Sequence, residues 1–86
     1  MARLVDRIEE VMYSVNPFGF LEGDGGNYYY EANNMIKLLA EFKLGDTILD
    51  LCMDAFQIYY DGNQKWVEIA EKITPLVVEY KSVHKY

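Results

Sequence analysis

Few side chains in this sequence are of types that do chemistry, and their spacing limits what each can do. The one histidine, His84, stands two residues from the end of the sequence, where chain ends usually fray. The one cysteine, Cys52, falls mid-helix on an apolar stripe, and a buried cysteine of that kind is inert. No Ser/His/Asp or Cys/His arrangement can be assembled from these residues. The expectation is a protein that is not an enzyme.

The carboxylates offer a second kind of chemistry, metal binding. Asp24 and Asp61 sit in Gly/Asn-rich stretches that look like fragments of calcium loops. A calcium loop opening at Asp61 needs glycine at its sixth position and glutamate at its twelfth, where the chain has Trp66 and Lys72. One opening at Asp24 has Tyr29 at its sixth position and no glutamate in register. Zinc lacks enough His and Cys ligands. The run Gly23-Asp24-Gly25-Gly26 has no lysine, no preceding strand and two local acids, so it is no phosphate cradle. No metal site and no cofactor are expected.

Spacing is more informative among the remaining acids. Asp46, Asp50, Asp54, Gln57 and Asp61 recur every third or fourth position and would line one helical face. Like charges one turn apart cost a few tenths of a kcal/mol each. Such a stripe is either a solvated face, relieved by lysines from a neighbouring helix, or a surface that meets a basic partner. Tyrosine supplies the second unusual feature: the chain has eight, including Tyr28-Tyr29-Tyr30 and Tyr59-Tyr60. Consecutive helical residues turn by about 100° each, so three in a row cannot all face one core. Tyr28 and Tyr59 fit the apolar stripes, leaving Tyr30 and Tyr60 for solvent, where a rigid ring with a polar tip suits an interface.

The elements that carry these residues follow from apolar spacing. Leu4, Ile8, Val11, Met12 and Val15 mark a first helix over residues 3–15. Pro17 stops it, because Asn16 before a proline is driven out of the helical region. A second helix runs from Asn27 or Tyr28 to about Leu44, on Tyr28, Ala32, Met35, Leu39 and Phe42, with Glu31 in its first turn to complement the helix dipole. Gly45 ends it, and Asp46 caps a third helix that runs to about Tyr60, burying Ile48, Leu51, Cys52, Ala55, Ile58 and Tyr59. After the turn Asp61-Gly62-Asn63, the residues Trp66, Ile69, Ala70, Ile73, Val77 and Tyr80 mark a fourth helix, kinked or restarted at Pro75. Glu68 and Lys72 are spaced for an exposed pair on it. No strand signal competes. The expected fold is all-α, a small antiparallel bundle of four helices in one domain over residues 1–86, with one long Pro/Gly-containing loop between helices one and two.

The stretch that holds that loop and the start of the second helix, residues 16–31, joins a Pro-led apolar part to a Gly-rich part. Phe18, Phe20 and Leu21 either plug the end of the bundle or stand partly exposed to greet a partner.

The chain has 86 residues, 51% apolar and 26% charged, enough for a modest core without staples. Fourteen acidic against eight basic residues give a net charge of -6, which repels phosphate backbones and excludes nucleic acid as the expected partner. A single cysteine, no apolar run long enough to span a membrane and no signal-peptide run in Met1–Arg7 lead to the expectation of a cytoplasmic protein.

Asn16-Pro17-Phe18-Gly19, a Gly-rich gap and Tyr28-x-x-Glu31 together resemble the N-terminal motif of the YugE-like family, small uncharacterised bacterial helical proteins. Val15-Asn16 stands where that family carries Trp-Asp, and the Gly-rich insert is long. The resemblance implies a helical fold over most of the chain and says nothing about activity. More distantly, Ile58-Tyr59-Tyr60 before an Asp-Gly turn is similar to bacterial nuclease-toxin immunity proteins, in which paired tyrosines and nearby acids block a basic toxin. There the tyrosine-bearing helix is short, whereas here the tyrosines are expected to end a long one.

The function expected is protein–protein interaction. Asp50, Asp54 and Asp61 would steer a basic partner, and exposed Tyr30 or Tyr60 would anchor it. The alternative is a self-assembling unit in which Phe18, Phe20 and Leu21 bury against a second copy. A third possibility is a small ligand beneath the long loop.

Overall fold

The apolar stripes of the sequence converge on one core. Ile8, Met12, Tyr28, Ala32, Met35, Leu39, Cys52, Ile69, Ile73 and Val77 are all but inaccessible to water. A computed structural model describes residues 3–21, 25–43 and 47–83. Its helices are α1 (Leu4–Val15), α2 (Tyr29–Leu39), α3 (Ile48–Phe56) and α4 (Gln64–Val83), with no strand among the described residues. The chain is an all-α small bundle. Each helix packs on the next in sequence and α4 returns to α1. Arg7 meets Glu79 while Ser14 meets Lys72, so α1 and α4 run antiparallel. Asn34 reaches Ala55 while Leu38 and Phe42 face Leu51, so α2 and α3 do the same.

Two helices are shorter than their stripes suggest. α2 ends at Leu39, not near Leu44, because its last turn tightens: Glu41 N–H donates to the Leu38 carbonyl and Phe42 N–H to that of Leu39. Phe42 is still buried, beyond the helix rather than on it. The Lys81 ammonium of α4 also donates to the Leu39 carbonyl at 2.7 Å, placing a cation at the C-terminus of α2.

α3 ends at Phe56, four residues before Tyr60. Gln57 adopts φ 60°, ψ 40°, its N–H bonds the Asp54 carbonyl at 3.1 Å, and Ile58 N–H bonds that of Met53 at 3.1 Å. These paired bonds form a Schellman stop with glutamine where glycine is usual. The expected burial of Ile58 and Tyr59 is thereby overturned, since both lie past the helix and Tyr59 is 97% exposed. Thr47 caps the other end of α3, its Oγ1 accepting from Asp50 N–H at 3.3 Å, in the role expected of Asp46. Gly23, Asp24, Gly45, Asp46 and His84 lie outside the described residues.

α4 continues through Pro75 rather than restarting there. Pro75 and Glu71 are both exposed, and Pro75 has no N–H to give the Glu71 carbonyl. Ile69, Ile73, Leu76 and Val77 hold both halves of α4 on the core. Lys72 does not close the expected pair with Glu68 and points to the Ser14 hydroxyl at 3.4 Å.

Candidate protein-binding surface

The strap after α1 is built around Asn16. Its backbone takes φ 53°, ψ 58°, left-handed values that asparagine tolerates better than most residues. Its side chain then pins the chain that follows. Nδ2 donates to the Phe20 carbonyl at 2.8 Å, while Oδ1 accepts from Phe20 N–H at 3.0 Å and from the Tyr28 hydroxyl at 2.8 Å. That hydroxyl also accepts from Phe18 N–H at 2.9 Å, and Lys65 donates to the Pro17 carbonyl at 3.0 Å. Burial raises the Tyr28 pKa, so the phenol stays protonated.

These bonds set the apolar part of the strap. Phe18 touches the rings of Phe20, Tyr28, Phe56 and Trp66, yet remains 47% exposed. It both plugs the aromatic end of the bundle and presents an open edge. Phe20 lies deeper, partly buried on the core. Gly26 approaches it so closely that a Cβ there would stand 2.5 Å from its ring. Leu21 is 71% exposed.

The acidic surface is organised differently. Asp50 and Asp54 project from α3 into solvent one turn apart. With Glu41 they rim a concavity of about 280 Å³ between α2 and α3, floored by Leu38, Phe42 and Leu51. None of these three carboxylates is engaged by a described side chain. Asp54 also borders a second concavity, of about 270 Å³, with Met53, Gln57, Ile58 and Tyr59. The acidic groove and the exposed apolar corner therefore meet at one residue.

The expected five-residue stripe does not exist as such. α3 stops before Asp61, whose carboxylate accepts from Asn63 N–H at 2.9 Å within the α3–α4 turn. Asp50 and Asp54 share a face; Asp61 does not belong to it. Tyr60 is exposed in the same connection. Tyr30 is 62% exposed in the first turn of α2, which by the antiparallel pairing lies at the end of the α2–α3 pair where α3 terminates. Tyr59, the most exposed of the described rings, has the spacing of a core residue. The helix before it has only nine residues.

Cys52, on the inner side of α3, has its thiol pushed up to about 12 by burial. That position leaves it without thiolate character near neutral pH. No group of His, Cys, Asp or Glu among the described residues has the geometry to hold a metal ion. No described helix is long and apolar enough to cross a membrane.

These features define an all-α bundle with a carboxylate-rimmed groove beside an exposed tyrosine corner. No family model matches the chain, and comparison with curated proteins and with solved structures finds no match.

Proposed function

We propose that the chain is a non-enzymatic, cytoplasmic interaction protein that binds a basic protein partner through the outer face of α3 and the connection that follows it. The observation that supports this reading most is the position of Asp54, shared between the acidic groove and the Tyr59 corner. Glu41, Asp50 and Asp54 supply steering and register, and Tyr59 with Tyr60 supplies the aromatic anchor. Asp61, which accepts from Asn63 N–H, and exposed Tyr30 of α2 are not needed for that patch. The YugE-like resemblance of Asn16–Glu31 remains part of the proposal and adds no activity to it.

The test is affinity capture from lysate of the native host, comparing the wild type with Asp50→Lys, Asp54→Lys and with Tyr59→Ala. The expected outcome is a basic protein retained by the wild type and lost from the first variant, with weaker retention by the second. Equal retention by all three would make the face ordinary solvated surface.

Self-association through the strap is a second reading, favoured by the half-exposed Phe18 beside exposed Leu21. Sedimentation velocity over a wide concentration range separates it: a concentration-dependent mass abolished by Phe18→Ser would move this reading ahead.

A further inference from the structure

We infer that the occupant of the α2–α3 groove is a basic amphipathic helix of the partner, an inference that rests on the function proposed above. Three observations narrow the chemistry. The groove has an apolar floor of Leu38, Phe42 and Leu51, while Thr47 and the carboxylates of Glu41, Asp50 and Asp54 line its sides. A helix satisfies its own N–H and C=O groups internally and turns a stripe of apolar side chains to that floor, with polar side chains along its flank to meet the acids. No strand among the described residues offers an edge to which an extended peptide could add.

Charge sets the second constraint. Asp50 and Asp54 stand one turn apart on α3, with Glu41 across the groove on the segment that follows α2. Lysines or arginines one turn apart on a facing helix present the complementary pattern. The third constraint concerns a second copy as occupant. It would bring the same acids and a net charge of -6, and like charges would oppose its approach. The groove is therefore complementary to a foreign helix whose apolar side enters between Leu38 and Leu51 and whose flank carries paired cations.

The experiment uses the full chain, isotope-labelled, titrated with a leucine/lysine peptide about 15 residues long of amphipathic helical pattern, and with a scrambled peptide of the same composition. Amide shifts read by NMR should cluster at Leu38, Phe42, Leu51 and Asp54, with the patterned peptide binding roughly tenfold tighter than the scramble. Asp50→Asn, Asp54→Asn should weaken it by roughly tenfold, while Glu68→Gln, Glu71→Gln, an equal charge change on α4, should leave it within about twofold. If scrambled and patterned peptides bind alike but still require Asp50 and Asp54, the helix inference is overturned and the acidic face keeps its proposed function. If neither peptide responds to the aspartate substitutions, the proposed function of that face fails too. Shifts that cluster at Phe18 and Leu21 instead would place the docking surface on the strap.

Discussion

The α1–α4 side of the bundle and the α2–α3 side use charge in opposite ways. On the first, Arg7 pairs with Glu79 at 3.0 Å, Arg3 with Asp6 at 3.1 Å, and Lys72 reaches Ser14. Lys65 and Lys81 of α4 are likewise turned onto backbone carbonyls, those of Pro17 and Leu39. On the second, Glu41, Asp50 and Asp54 surround a groove without such partners. Cations tether elements on the first side, which also leaves Glu68 and Glu71 to solvent, whereas on the second three anions gather around one groove. The tethered residues should matter to stability and the open ones to binding.

The contrast is sharpest across α3 itself, and the largest expected effect comes from its inner side. Burial raises the Cys52 pKa from 9.0 to about 12, so the folded state favours the thiol over the thiolate. Its contribution is fully present below the unfolded value of 9.0 and is lost as pH rises toward 12. The loss is on the order of 4 kcal/mol by pH 12. Tyr28, raised in the same direction, adds to it at the alkaline end. Urea unfolding as a function of pH should fall steeply over that range for the wild type and less steeply for Cys52→Ala. Parallel slopes would mean that the inner side is not sealed.

Next in size is Asn16→Ala. It removes three hydrogen bonds of the strap and leaves alanine at φ 53°. A loss of about 2 kcal/mol is expected by urea denaturation. Because Phe18 touches the single tryptophan, Trp66, its fluorescence should report the loosened strap. Lys81→Met should cost about 1 kcal/mol by the same measurement, since the C-terminal carbonyl of α2 loses its cation. Gln57→Gly should act in the other direction, stabilising by about 1 kcal/mol, because glycine takes φ 60° without strain. No gain there would mean that the α3 stop is not the strained turn described.

The smallest effect belongs to the open side. Asp50→Asn, Asp54→Asn should change stability by less than about 0.5 kcal/mol, since neither carboxylate holds another side chain and the repulsion between them is relieved. A loss well above that would make them structural and would break the contrast.

What could be read from the chain divides along similar lines. Apolar spacing located the helices because Ile8, Met12, Met35, Leu39, Ile69 and Ile73 share one core, and the Asn16-Pro17 stop of α1 needed only the restricted geometry of proline. The end of α3 was hidden because Ile58 and Tyr59 continue its spacing while glutamine at 57 carries no left-handed signal. Spacing that continues past that stop puts Asp61 on a helix it does not reach and Tyr59 in the core. Thr47, next to Asp46, was an equally good capping type, and spacing cannot choose between neighbours. The grip of Asn16 on Tyr28 spans twelve residues and Lys81 on Leu39 spans forty-two, contacts that only the folded arrangement creates. An asparagine between a helical stripe and a proline was nevertheless a local sign of such a strap.

The most direct measurement is the salt dependence of affinity for the captured basic partner, compared between the wild type and Asp50→Asn, Asp54→Asn. The account predicts that wild-type affinity falls steeply as salt is raised, that the variant binds more weakly at low salt with a flatter dependence, and that both unfold at the same urea concentration. Equal affinities and equal salt slopes would contradict it, leaving the acidic side of α3 as solvated surface.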